Sequence, residues 1–250
     1  MEDYWQIDTE EGITLHGILN HAASAQKTPD AAIIIIHGLT GHPNEYLHKR
    51  AADFFTAKGY DVIRPYLYGG DNGRALVDCT LEIHAQDVNT VLANIQGKYK
   101  KIFLIGHSYG GPSVMIASPE KITAVSLWDP SFNMPALWEM SPPTEMLGFY
   151  TVRFGGVDHV LGEAMVEEGR TRFDEEECLN ISKNFPAPIQ VIGADESDEA
   201  ELYAQCSLSW HSGYQGQKDC TKISNADHMF TRENSCDKLL ETTLEWFERF

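Results

Sequence analysis

The chain has 250 residues, a hydrophobic fraction of 42% and a formal net charge of −18 at pH 7. That length can bury one substantial core, and so acidic a surface repels nucleic acid and anionic membranes. The longest apolar run, Ala31–Ile36, is far too short to span a membrane. Met1-Glu-Asp-Tyr-Trp5 has neither the basic nor the apolar part of a signal peptide, so none is expected. The cysteines, at 79, 178, 206, 220 and 236, are odd in number and include no C-x-x-C pair. That pattern argues for free thiols in a reducing compartment, the cytoplasm by default, and against a disulfide framework or a zinc site. No motif calls for a metal or a cofactor.

In chain order, Tyr4–Asn20 holds two alternating segments around Glu10-Glu-Gly12, an expected antiparallel hairpin. Ala31–Ile36 is β-branched throughout its second half and reads as a central strand buried on both faces, running into His37-Gly-Leu-Thr-Gly41. Asn44 is placed to cap a helix reaching about Lys58, with Gly59 at its end. Asp61–Pro65 is a strand, and Tyr68–Gly73 is a loop. Leu81, Val88, Val91, Leu92 and Ile95 then recur at helical spacing. Lys101–Ile105 is again a buried strand, followed at once by Gly106-His-Ser-Tyr-Gly110 and a segment that can be helical from about Gly110. Ile122–Trp128 is a strand ending at Asp129-Pro130.

The stretch Ser131–Phe185 interrupts this rhythm with Phe132, Met134, Trp138, Met140, Met146, Phe149, Tyr150, Phe154 and Phe173. It is too long for a plain connection, and we expect a helical lid insertion over about 131–186 whose aromatics wall an acyl pocket. The pattern resumes with a strand over Pro188–Gly193, a helix-compatible stretch Glu199–Trp210, and a short strand Thr221–Ser224 ending at Asn225-Ala-Asp-His228. A last helix carries Leu239, Leu240, Leu244, Trp246 and Phe247 on an apolar stripe. Strands alternating with helices predict an α/β fold, a doubly wound and mostly parallel sheet, as one domain over 1–250.

The chemistry centres on Ser108. Small residues two positions either side of a serine, between a strand and a helix, form a nucleophile elbow: the turn is so tight that Gly106 and Gly110 must lack bulk. The Tyr109 N–H then lies at a helix N-terminus, where it can stabilise an oxyanion, and the loop after Ile36 supplies the Leu39 N–H as its companion. His228, beyond the last strand, is the expected general base. His37 and His107 are expected to support loops, and His42 and His48 make no metal pair. The acid is expected on the loop after Gly193: Glu196 first, three residues on, then Asp195, with Asp198 and Asp129 as alternatives.

With these residues in hand the chain resembles the α/β-hydrolase superfamily over nearly its whole length. The specific parts are His37-Gly-Leu-Thr-Gly41, Gly106-His-Ser-Tyr-Gly-Gly111 and Ala226-Asp-His-Met-Phe230, and the helix Thr80–Ile95 with Asp87 is similar to the esterase, monoacylglycerol-lipase and serine-aminopeptidase branch. Resemblance implies Ser108 as nucleophile, His228 as base and backbone donors at Leu39 and Tyr109. The loop Gly69-Gly-Asp-Asn-Gly73 departs from the compact Gly-x-Gly-x-Ser of that branch, and Glu196-Ser-Asp-Glu199 resembles kynurenine-formamidase-like members. The implied activity is serine hydrolysis of a small ester with an apolar acyl group. The alternatives are an amidase or aminopeptidase on the same residues, or a non-catalytic ligand-binding module.

Overall fold

Alternation within the strand Ala31–Ile36 decides the two faces of the sheet. Ile33 and Ile35 belong to one buried cluster, and Ile34 and Ile36 to another, because successive strand side chains project to opposite sides. Each such side chain removed from water contributes about 1.5–3 kcal/mol. The structure is a computed structural model that describes residues 1–23, 29–154, 157–196 and 209–250.

The elements in chain order are β1 (Glu2–Asp8), β2 (Thr14–Asn20), β3 (Ala31–Ile36), α1 (Tyr46–Ala57), β4 (Asp61–Tyr66), α2 (Leu81–Ile95), β5 (Lys101–His107), α3 (Gly110–Ala117) and β6 (Ala124–Trp128). There follow α4 (Met134–Met140), β7 (Thr144–Met146), β8 (Phe149–Phe154), β9 (Val157–Leu161), α5 (Glu163–Thr171), α6 (Glu175–Lys183), β10 (Ile189–Ala194), β11 (Lys218–Ile223) and α7 (Ser235–Phe247). Eight strands form one sheet in the order β1-β2-β4-β3-β5-β6-β10-β11. The first two pairings in that order are antiparallel, and every pairing from β4 to β11 is parallel. Helices α1 and α7 cover the face of Ile33 and Ile35, while α2, α3 and the insertion cover the other. The chain crosses from β4 back to β5, so β3 and β5 are neighbours and the order reverses between their carboxyl ends. Such a switch point opens a crevice for a ligand. Among the described residues no helix is long and apolar enough to cross a membrane.

Two expectations are corrected. Helix α1 begins at Tyr46 with Glu45 as its cap, and Asn44 instead accepts a hydrogen bond from the buried Arg64. The insertion is not wholly helical, for a three-stranded antiparallel sheet, β7-β8-β9, stands between α4 and α5. Leu147 and Gly148 both have positive φ, 55° and 84°, the pattern of a tight type I′ hairpin turn, and they reverse the chain where a helix would have continued. Trp138 is buried and packs on Gly169, whereas Phe149 is largely exposed on the hairpin. The helix-compatible stretch 199–208 and the alternative acid Asp198 lie outside the described residues.

The insertion is tied to the body by a carboxylate: Glu168 of α5 accepts from the amides of Leu81 (2.6 Å) and Glu82 (3.2 Å) at the start of α2. Thr80 caps the same helix through Ile83 N at 3.1 Å. The glycine-rich loop that sets this chain apart from its resemblance ends on Arg74, whose guanidinium makes a bidentate pair with the buried Asp87 of α2 at 2.6 and 2.9 Å. Asp87→Asn leaves that guanidinium short of its counter-charge. We expect a loss of about 3 kcal/mol, at the low end for a buried pair because Glu11 also reaches Arg74, at 3.1 Å. Thermal unfolding checks this, and an unchanged melting temperature would rule the pair out as a stabilising contact.

Candidate active site

Between β5 and α3 the backbone has no spare room. A Cβ at Gly106 would lie 2.6 Å from Gly110 O, and one at Gly110 would run into Ile36 O, so both positions require glycine. The turn drives Ser108 to φ 54°, a left-handed conformation that serine adopts only under constraint. The constraint is visible in its hydrogen bonds. Ser108 N donates to Trp128 O at 3.0 Å, and Ser108 O accepts from Gly111 N (2.9 Å) and Ser131 N (3.0 Å). The side chain is left half-buried at the carboxyl edge of the sheet. Across from it runs the turn after β3. A Cβ at Gly38 would stand 2.9 Å from Ser108 Cβ and 3.3 Å from its Oγ, so this turn lies directly against the serine side chain.

His228 reaches the same edge from the loop after β11. Its Nδ1 is 2.7 Å from Asp129 Oδ2, and its carbonyl accepts from His107 Nε2 at 2.9 Å, next door to Ser108 in the chain. Asp129 is fully buried with φ 37°, where the chain leaves β6. Its backbone N donates to Ile192 O at 2.7 Å, and its Oδ1 accepts from Ala194 N at 3.0 Å. A carboxylate so held can accept from an Nδ1–H and fix the tautomer, leaving Nε2 as the basic nitrogen.

The structure therefore brings Ser108, His228 and Asp129 to one edge, and it does not bring Glu196 or Asp195 to the imidazole. This corrects the expected partner. Both expected acids are exposed and serve the loop that carries His228 instead. Glu196 N donates to Ala226 O at 2.9 Å, Asp195 Oδ1 accepts from Ala226 N at 3.3 Å, and the Glu196 carboxylate pairs with Arg232. The physical reason is reach: β10 pairs with β6, so the side chain leaving β6 at Asp129 already fills the space beside the histidine. The available signal was an Asp-Pro step closing a fully apolar strand end, Leu127-Trp128-Asp129-Pro130. Among the described residues no group of three or more His, Cys, Asp or Glu side chains is placed to hold a metal ion.

This fold, with its strand-turn-helix serine, is that of the α/β-hydrolase superfamily. A family model described as serine aminopeptidase, S33, matches residues 27–153, just over half of the chain, and the chain belongs to that family. It is a hydrolase. No curated protein sequence matches it. Among solved structures, Est1E from Butyrivibrio proteoclasticus, with ferulic acid bound, is similar at 22% identity and TM-score 0.78, over 96% of this chain and 98% of that one. The esterase domain of a Rhodothermus marinus protein is similar at 17% identity and TM-score 0.75, over 100% and 98% of the two chains. Mouse alpha/beta hydrolase domain-containing protein 10 is similar at 18% identity and TM-score 0.76, over 99% of each. At these identities the likeness is one of fold.

Four histidines, His37, His48, His84 and His107, are buried around this edge. His107 stacks obliquely on His228, with ring centroids 5.0 Å apart, and His48 stands 5.7 Å from His107. Loss of hydration is the main effect on each. It pushes His37 down to about 4 and His84 and His107 down to about 3, and holds His48 well below the usual imidazole value. All four are neutral at pH 7. Below about pH 6.5 the unfolded chain takes up protons on these rings that the folded chain refuses. Their contribution is thus fully present above pH 6.5 and is lost as the pH falls towards 4, by about 1.4 kcal/mol per pH unit for each such ring. The urea midpoint should accordingly be lower at pH 5.5 than at pH 7.5. Neither ring nitrogen of His84 has a partner among the described residues, so His84→Leu should shrink that difference without removing a hydrogen bond. A midpoint difference unchanged by this substitution would mean that His84 titrates normally.

Proposed function

We propose that this hydrolase is a serine esterase that cleaves a small carboxylic ester with an apolar acyl group through an acyl-enzyme. One observation carries the reading: the 2.7 Å pair of His228 Nδ1 with the buried Asp129 carboxylate, beside a serine held at positive φ. In this scheme His228 Nε2 takes the proton of Ser108 as Oγ attacks the ester carbonyl. The oxyanion is met by the N–H groups of Leu39 and Tyr109, neither of which donates to the backbone among the described residues. Collapse of the tetrahedral intermediate expels the alcohol, which receives the proton from His228. Water then repeats the sequence on the acyl-enzyme. Asp129 keeps the proton on Nδ1 and offsets the charge on the imidazolium.

The esterase identity of two structural neighbours supports the ester, and the ferulic acid in one of them supports testing aromatic acyl groups. The family's description favours a second reading, an aminopeptidase on the same residues. A peptide substrate would need a carboxylate for its ammonium group, and a groove of about 510 Å³ lined by Asn133, Asp174, Glu175, Glu176 and Leu179 offers carboxylates at Asp174, Glu175 and Glu176. Free thiols at Cys79, Cys220 and Cys236 support a cytoplasmic location. A panel of p-nitrophenyl esters, hydroxycinnamate esters and aminoacyl anilides separates the two readings. Fluorophosphonate labelling separates both from a non-catalytic ligand-binding module.

Ser108→Ala should lower ester turnover on the order of 10⁴-fold or more, and Asp129→Asn by about 10²–10⁴-fold, whereas Glu196→Gln should stay near wild type. Steady-state kinetics on folded variants decides the matter. Full activity in Ser108→Ala would falsify the nucleophile assignment. An active Asp129→Asn beside an inactive Glu196→Gln would return the acid to the loop after β10.

A further inference from the structure

We propose that Tyr68 is a positioning residue of the oxyanion hole: its hydroxyl, with the His37 imidazole and the Gly41 amide, holds the Gly38 carbonyl so that the Leu39 N–H faces Ser108. The inference rests on the serine-hydrolase reading. The Gly38 C=O and the Leu39 N–H belong to one planar peptide unit and point in opposite directions. Whatever holds the carbonyl therefore aims the N–H.

Three donors hold it. His37 Nδ1 lies 2.9 Å from Gly38 O, Gly41 N 3.1 Å and Tyr68 OH 3.3 Å. The His37 tautomer is not open, because Leu67 N donates to its Nε2 at 3.2 Å and leaves the proton on Nδ1. A carbonyl has two lone pairs, so three donors exceed what an ordinary loop carbonyl receives. Donors on the oxygen also polarise the amide and strengthen the N–H at its other end. That N–H donates to nothing among the described residues, and its peptide begins at Gly38, whose missing Cβ would stand 3.3 Å from Ser108 Oγ. Tyr68 follows Leu67 in the chain and meets the His37 ring edge-on at 5.2 Å, so one short segment after β4 supports both side-chain donors.

The turn suggests the control. Gly38–Gly41 is closed by Gly41 N on Gly38 O, with Thr40 at φ 57°, and Leu39 is not among the residues of positive φ. This is the type II pattern, which accepts proline at its second position. Leu39→Pro therefore deletes the oxyanion donor and suits the turn. Kinetics with p-nitrophenyl butyrate, and inhibition by a trifluoromethyl ketone that forms a tetrahedral adduct, are measured on the full chain.

Tyr68→Phe should lower kcat roughly 5- to 50-fold, less than the 10²–10³-fold typical of losing a donor outright, with KM within about twofold. Ketone affinity should weaken by the same factor as kcat/KM. In the Leu39→Pro background, Tyr68→Phe should have no further effect. Wild-type kcat in Tyr68→Phe, a change confined to KM, or the same loss in both backgrounds would each overturn the inference. Should Leu39→Pro not fold, the ketone affinity of Tyr68→Phe decides alone, and an unchanged value overturns it. Activity in Ser108→Ala would defeat the underlying reading. An inactive Ser108→Ala beside an unaffected Tyr68→Phe would defeat this inference only.

Discussion

The space denied to side chains at Gly38, Gly106 and Gly110 governs the rest of the site. Three backbone segments meet there: the turn after β3, the end of β5 and the start of α3. A single Cβ at any of these positions would push them apart. Their contact leaves Ser108 at φ 54°, a conformation that costs on the order of 1–3 kcal/mol and persists only where the surroundings over-determine it. The surroundings here are the buried Ile33–Ile36 and Ile102–Ile105 strands in register with each other, packed on both faces. Core packing on the strands is thus what holds the strained serine.

The same rigidity explains which carboxylate meets the histidine. Strand β6 lies between β5 and β10, so the residue that closes it emerges beside the elbow. Asp129 at that point has no exposure, and a buried carboxylate must find partners. It finds the Ala194 amide and the His228 ring. The exposed Glu196 and Asp195 instead latch the loop from Ile223 to Ala226 to the end of β10. One pair of loops therefore does two tasks, with the buried acid on the imidazole and the exposed acids on the backbone that carries it.

What was legible in the sequence follows from periodicity and from steric necessity. The strands around Ile33–Ile36 and Ile102–Ile105 announce themselves as short apolar runs, and the elbow needs its glycines whatever else changes. The acid had no such mark. Its choice depends on strand order and on a loop φ of 37° at Asp129, neither of which has a period. The insertion misled for a related reason. Its aromatics are frequent but aperiodic, and the turn that makes it a hairpin is a Leu147-Gly148 step, not the Asn-Gly or Asp-Gly that usually signals one. Tyr68 escaped because its part is played through the backbone of another loop, and no spacing within its own segment records that.

Loss of hydration keeps the histidines buried around this edge uncharged. A cation on His107, 5.0 Å from the His228 ring, would repel any positive charge on that ring. Burial prevents this by holding His107 down to about 3, while its Nε2–H remains tied to the His228 carbonyl. The His107 ring can therefore brace the loop through a hydrogen bond without placing a charge beside His228. His228 itself keeps 28% of its side chain exposed against none for Asp129.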